Sequence, residues 1–441
     1  MVVIRRPFTP RGRGTKRALT QGVRAMGTLR LKLQSKPRML IGGLTLLGSL
    51  GAALVLAVHH VPQAGPAVAN SLRAVIGIEA VARLEELVAS AEDSAMRLRS
   101  WREPPRSLSA MSPTIARADV PLPEPETSSL PTPPRPGPSF APVTIRPPYP
   151  EVAAVGDGVW VPVPDPEHPE APALMYKTML HPDPERSWSE LFLVAMPSSL
   201  VRLTSVPGTE EPSSENPRAA TLRHRGLIPT AQRSQLLAAF NGGFRAEHGH
   251  HGMLVDGVLL LPARGDMCTV AGYEDGTLQI GTYTRLLAQP QKPVWFRQSP
   301  RCMVEQGALH PGLRDANARG WGATLEGETV IRRSGIALTE DGSTLVVAVT
   351  NFTTARALAV GMRAAGGWNV AQLDVNQSFP KFLLFPRDES GKRHAASLFD
   401  GFLFERDEML DDPTARDFFY VIRRQNEERA EATEVITKQA G

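Results

Sequence analysis

The C-terminal part of the chain predicts an α+β domain of mixed, mainly antiparallel sheets with packed helices, preceded by one transmembrane helix and a Pro-rich linker. Three observations carry that prediction. Beyond residue 187, short apolar stretches bounded by turn residues outnumber helix-like ones, the pattern of hairpin-rich sheets. One run of twenty residues, Met39–Val58, carries no charge, and about 20 apolar residues span a bilayer as a helix. Between the two lies a stretch crowded with proline, which excludes regular helix and internal sheet.

Residues 1–38 form a basic tail of eleven Lys or Arg and no acid. The whole chain is +4, so the remaining residues total −7 and the basicity belongs to the tail. That charge beside an apolar run predicts a cytoplasmic N-terminus and a single pass through the inner membrane. A folded domain without its own basic surplus argues against nucleic acid as a partner. Residues 39–58 are the transmembrane segment, with membrane lipid as partner. The residues beyond it then lie outside the cytoplasm, in the periplasm or cell envelope. A cleaved signal peptide, with Ala67-Val68-Ala69 as its site, is the alternative, set against by the length of the basic region.

Residues 71–101 read as a helical stalk, with Leu72, Val75, Ile76, Val81, Leu84, Leu87 and Val88 recurring at spacings of three and four. Such a helix suits self-association or an interfacial position on lipid. Residues 102–150 are the Pro-rich linker, an extended spacer. The folded domain spans 151–424, and 425–441 is a charged tail. Within the domain, Glu190–Met196 and Leu200–Val206 read as paired strands. Pro229–Ala239 reads as a helix. Strands come next at Met253–Leu261, Thr277–Tyr283, Gly335–Thr339 and Thr344–Val349, the last two joined by Asp341-Gly342. Thr353–Ala365 is a helix stopped by Gly366-Gly367. Val370–Asp374, Phe382–Phe385 and Phe418–Ile422 complete the set of strands.

Two stretches point to chemistry. Phe240-Asn241-Gly242-Gly243-Phe244 sets paired glycines between aromatics. Glycines there admit positive φ and let a ligand approach bare N–H groups. Gln372-Leu373-Asp374-Val375-Asn376-Gln377-Ser378 ends an apolar strand on a carboxylate followed by polar groups. Asp374 is the candidate base or nucleophile. Glycoside cleavage normally uses two carboxyl groups, and Glu247 is the candidate for the second, with Asp256 its rival. Arg333, after Arg332, offers a guanidinium that matches a phosphate with two parallel hydrogen bonds. Glu247-His248-Gly249-His250-His251 is the densest histidine cluster, and Glu247, His248 and His251 are the residues that a metal would use. No cofactor is otherwise indicated. Cys268 and Cys302 both fall in the exported part, where they form either a disulfide or two buried thiols. No phosphate-binding loop, serine-hydrolase elbow or zinc-protease motif occurs.

The order and spacing of these motifs over Ser187–Ile422 resemble the phosphodiester glycosidase family, as a divergent bacterial member. Its lysosomal members remove N-acetylglucosamine from a phosphodiester to uncover mannose 6-phosphate. Asn241–Phe244 matches the family's first motif. Gly252-Met253-Leu254-Val255-Asp256-Gly257 matches the strand and turn after it. Arg333–Gly342 matches the arginine strand and its hairpin, and Leu373-Asp374 with Ser378 the last motif. Val375-Asn376-Gln377 stand where the family has glycines, so side chains narrow that loop. The resemblance implies a glycosidase-type hydrolase acting on a sugar phosphodiester or glycosidic linkage of an envelope glycan. Asn241, Gly242, Gly243 and Arg333 would hold phosphate, and Asn376 and Ser378 would position the sugar. The alternative is a catalytically inactive glycan-binding or scaffold protein.

Overall fold

The computed structural model describes residues 77–108, 140–222, 225–313, 319–321 and 330–424. The run expected to cross the membrane, most of the Pro-rich stretch and both charged tails lie outside the described residues. Among the described residues no helix is long and apolar enough to cross a membrane.

Helix α1 spans Ile78–Ser100. The first strands are β1 (Val161–Val163), β2 (Met175–Leu180), β3 (Leu191–Pro197), β4 (Val201–Val206) and β5 (Leu236–Asn241). Next come β6 (Met253–Val255), β7 (Val258–Leu261), β8 (Cys268–Gly272), β9 (Leu278–Thr282), the single-turn α2 (Tyr283–Leu286) and β10 (Trp295–Ser299). The short pair β11 (Val304–Glu305) and β12 (Ala308–Leu309) precedes β13 (Arg333–Leu338), β14 (Thr344–Thr350), α3 (Ala355–Ala364) and β15 (Asn369–Val375). β16 (Phe382–Leu384), β17 (Ala396–Ser397) and β18 (Phe418–Arg423) close the domain.

Three sheets result. Their orders are β1-β2-β3-β14-β13-β15-β11-β12, β7-β6-β10-β8-β9 and β17-β16-β5-β18-β4. Every pairing between these strands is antiparallel. The domain is therefore mainly antiparallel β, as expected of its sheets, with few helices packed on it and no parallel pair among these strands. Tight turns make the difference, because antiparallel neighbours need only short connections. Asp256-Gly257 and Asp341-Gly342 each join two strands, with Gly257 at φ 69° and Gly342 at φ 67°.

The eight-stranded sheet is buried on both faces, and strand alternation sorts its side chains. Phe192, Val194, Ile336, Val347, Val349 and Leu373 face a core shared with Phe240 and Phe419 of one smaller sheet and Val270 and Trp295 of the other. Leu193, Val346 and Ala348 face the opposite way, under Leu358 and Met362 of α3. The Thr354 hydroxyl caps α3 by accepting from Ala357 N at 3.1 Å. Cys268 and Cys302 are joined by a disulfide.

Pro229–Ala239 is not a helix. Its polar first half, Thr230–Gln235, makes a 3-10 turn, and Leu236–Asn241 is a strand with all six residues buried. A run apolar on every side suits a strand covered on both faces, so Asn241 ends a strand rather than following a helix. Strand β10 shows no apolar alternation in sequence: Arg297, Gln298 and Ser299 are all polar and all buried.

Helix α1 lies against the domain through Asp93, which pairs with Arg186 at 2.8 and 3.2 Å. Beyond the helix, Arg106 grips Glu190 with two hydrogen bonds of 2.7 and 2.6 Å, and Leu108 joins the central core. After the undescribed stretch, Ile145 packs into the core under α3. Both described ends of the Pro-rich segment are therefore held by the same domain.

Candidate active site

Strand β15 brings a carboxylate to the place where the sheets converge. Its register against β13 shifts between Arg333 and Gly335, which pair with Val375 and Gln372. Leu373 and Asp374 together thus face Ser334, an irregularity that re-aims side chains at strand ends. The Ser334 hydroxyl donates to Asp374 O at 3.0 Å and accepts from Asn241 Nδ2 at 2.7 Å. Asn241 Oδ1 accepts from Lys381 N at 3.2 Å, and Asp374 N donates to Gly242 O at 3.1 Å. Asn241 and Asp374 are thereby brought together, although they arise from different sheets 133 positions apart in sequence.

The Asp374 carboxylate is held on one side. Its Oδ2 accepts from Arg416 Nη2 and from Asn376 Nδ2, both at 2.7 Å. Its Oδ1 takes no hydrogen bond from the described residues. Arg416 also donates to Gly243 O at 3.2 Å, and its guanidinium lies 4.5 Å from the centre of the Phe379 ring. Asn376 uses its other end to form the loop: its Oδ1 accepts from Ser378 N at 3.0 Å and Phe379 N at 2.6 Å. The residues that replace glycines here therefore shape the rim of the carboxylate, and Ser378 sits half-buried beside it.

The paired glycines have a different role from the one expected. Neither Gly242 nor Gly243 has positive φ. Gly242 N donates to Asp417 O, and Gly243 N to Asp417 Oδ2, each at 2.9 Å, so these amides are engaged within the protein. A Cβ on Gly242 would lie 2.2 Å from Asp417 Oδ2, and one on Gly243 would lie 2.8 Å from Arg297 Cζ. Glycine is required by the Arg297–Asp417 ion pair. That pair is fully buried, with Arg297 Nε 2.8 Å from Asp417 Oδ2. Arg297 also donates to the carbonyls of His251 at 2.8 Å and of Phe244. One guanidinium from β10 thus locks the Asn241–Phe244 turn to the start of β18. All three sheets contribute to the site.

Arg333 is fully buried and donates to Trp321 O at 2.6 Å, Gln372 Oε1 at 3.1 Å and Thr353 O at 3.2 Å. Burial pushes its guanidinium down to about 9. It points to the α3 side of the sheet, whereas Arg332 shares the face of Ser334. Arg332 lies 4.6 Å over the Phe402 ring and donates to Gly401 O at 2.9 Å. Glu247 is half-exposed, 3.4 Å from Arg245 and 3.5 Å from His248, and no described contact links it to Asp374. His251 is buried against Phe244 with ring centroids 5.6 Å apart, and burial, helped by Arg297, lowers its pKa to about 3. Among the described residues no group of three or more His, Cys, Asp or Glu is placed to hold a metal ion. Glu247, His248 and His251 do not converge.

Arg416, Asp417 and Arg297 carried no motif. The available signal was a charged pair entering the apolar strand Phe418–Ile422, which is unusual unless the charges have buried partners.

No protein-family model matches the chain, and no curated protein sequence does. Solved structures similar to it include the zebrafish N-acetylglucosamine-1-phosphodiester alpha-N-acetylglucosaminidase catalytic domain auto-inhibited by pro-peptide. That match has 15% identity over 59% of this chain and 86% of the other, with a TM-score of 0.38. A hypothetical protein from Synechocystis matches with 10% identity over 54% and 59% of the two chains, TM-score 0.30. A Burkholderia pseudomallei protein described as exported matches with 9% identity over 57% and 75%, TM-score 0.25.

Proposed function

We propose that this chain is a membrane-anchored, extracytoplasmic hydrolase that cleaves a sugar phosphodiester of an envelope glycan. The observation that carries the reading is the Asp374 carboxylate, with Oδ2 held by Arg416 and Asn376 and Oδ1 unengaged by the described residues. The disulfide supports an oxidising, extracytoplasmic compartment, and residues 39–58 supply the anchor.

In this reading Asp374 is the one carboxylate that acts, a role that suits a leaving group needing no proton. An alkoxide leaves a sugar only with a proton from a general acid, which is why glycosidases pair two carboxyl groups. From a sugar phosphodiester a phosphate monoester leaves as a stable anion and needs no such proton. Asp374 Oδ1 would then attack the anomeric carbon or take the proton of an attacking water. Arg416 would balance the departing charge, and Asn376 would keep the carboxylate oriented. In this reading Arg416 takes the role expected of Arg333, and Asn241 positions Asp374 through Ser334.

A glycan-binding role without turnover is favoured by two observations: the Asp374 side chain is only 4% exposed, and Phe379 covers its arginine. Release of sugar from α- and β-linked N-acetylglucosamine 1-phosphodiesters, by the full chain and by Asp374→Asn, separates the two. Turnover that disappears in the variant supports the hydrolase. Absence of turnover by folded, glycan-binding protein overturns it in favour of a binding module.

A further inference from the structure

Helix α1 has two faces of different chemistry, and the domain accounts for only one. Its inner face carries the buried Ala89 and the half-buried Val88, Asp93 and Met96, with Asp93 clamped by Arg186. Its outer face carries Leu87, Ala91, Ser94, Leu98 and Trp101, all exposed, at spacings of four, three, four and three. Those spacings put the five in one line along a helix. Leu87 is 68% exposed, Leu98 66% and Trp101 81%. The one hydroxyl on the line, that of Ser94, is turned back on Ser90 O at 2.9 Å, so the line presents little polarity.

Arginines flank the same line. At 3.6 residues per turn, Arg97 and Arg102 border the line on its two sides and Arg83 extends it at the N-terminal end, all three exposed. Glu92 and Asp93 fall on the half that meets the domain. An apolar line bearing a tryptophan and bordered by arginines is the composition of a helix lying in a lipid headgroup region. Anionic headgroups attract such borders. A second copy of the helix is a poorer occupant, because pairing the lines would bring arginine borders together.

Chain connectivity points the same way. The uncharged run ends at Val58 and the described helix starts after Gly77, so nineteen residues intervene. They span at most roughly 65 Å. A helix tethered this closely to a membrane anchor needs little intrinsic affinity to stay on the surface.

We propose that the outer face of α1, centred on Leu98 and Trp101, docks on an anionic lipid surface and holds the domain against the membrane. The proposal does not depend on the activity assigned to Asp374. The test uses the full chain reconstituted in phosphatidylglycerol–phosphatidylcholine vesicles, with a nitroxide on Leu98→Cys. Cys268 and Cys302 are consumed by their disulfide, so the label goes to the new thiol. A nitroxide on Glu389→Cys, an exposed position on the domain, serves as the aqueous reference. Relaxation by oxygen against relaxation by a water-soluble nickel chelate reads immersion. A raised oxygen-to-nickel ratio at position 98, falling in Arg97→Gln/Arg102→Gln and in pure phosphatidylcholine, is expected. Equal ratios at the two positions overturn the proposal. Spin–spin broadening at position 98 also overturns it, by placing a second copy on the face.

Discussion

Gly242→Ala probes why the paired glycines exist. The added methyl would stand 2.2 Å from Asp417 Oδ2 and 2.4 Å from Asp417 O. The carbonyl accepts from Gly242 N itself and lies next to the ladder pair Asn241–Phe418, so it has little room to retreat. Displacing the carboxylate separates a buried ion pair, which destabilises by ~3–5 kcal/mol. At roughly 2 °C per kcal/mol for a domain of this size, the midpoint of thermal unfolding should fall by about 6–10 °C. Gly320→Ala is the reference, because nothing among the described residues lies within 4 Å of its added methyl and its φ is not positive. It should stay within about 0.5 kcal/mol of the parent. The assay is thermal unfolding by circular dichroism, with urea unfolding as a cross-check. If Gly242→Ala unfolds with Gly320→Ala and the parent but loses binding of a sugar phosphodiester, the glycines serve a ligand and the reasoning is refuted.

The same contacts predict other outcomes. The Cys268–Cys302 bridge spans 34 positions, so replacing both residues by alanine should lower stability by roughly 4 kcal/mol, read from urea midpoints; an unchanged midpoint would contradict the bond's structural role. His251 takes up a proton only near pH 3 when folded and near 6.5 when unfolded. Stability is therefore complete above the unfolded value and declines on acidification by ~1.4 kcal/mol per pH unit down through the folded one. His251→Phe keeps the contact with Phe244 and should flatten that decline between about pH 6 and about pH 4.5; an unaltered slope would place the linkage elsewhere. Asn241→Ala strips partners from Ser334 and Lys381 N in a fully buried network and should destabilise by ~2–4 kcal/mol, measured the same way.

Sequence patterning revealed the parts of the fold that rest on local physics. The β13–β14 hairpin announced itself by apolar strands around Asp341-Gly342, and α3 by its spacing and its Gly366-Gly367 stop. β5 was misread because Leu236–Phe240 is apolar without a period, as both a buried helix and a buried strand are. β10 was missed because its polar residues read as a loop, whereas Arg297 pairs with Asp417 across a sheet boundary and Gln298 bonds Thr269 and the backbone of Gly252 and Arg264. At the site, Asp374, Asn241 and Asn376 were legible as a motif; Asn376 bonds Asp374 directly and Asn241 reaches it through Ser334. Arg416, Asp417 and Arg297 were not, since their meaning depends on pairings 42 and 120 positions away in sequence. Arg333 stood at the right place in the motif, but strand alternation sends its side chain to the opposite face.

The most direct measurement compares two leaving groups on the same sugar and linkage. The full chain and Asp374→Asn would be given an N-acetylglucosamine 1-phosphodiester and the corresponding alkyl glycoside. Hydrolysis of the phosphodiester alone, abolished in Asp374→Asn, is the result expected of one carboxylate acting where the leaving group needs no acid. Equal hydrolysis of the alkyl glycoside would reveal a second acid, and undiminished turnover by Asp374→Asn would place the chemistry elsewhere; either contradicts the assignment.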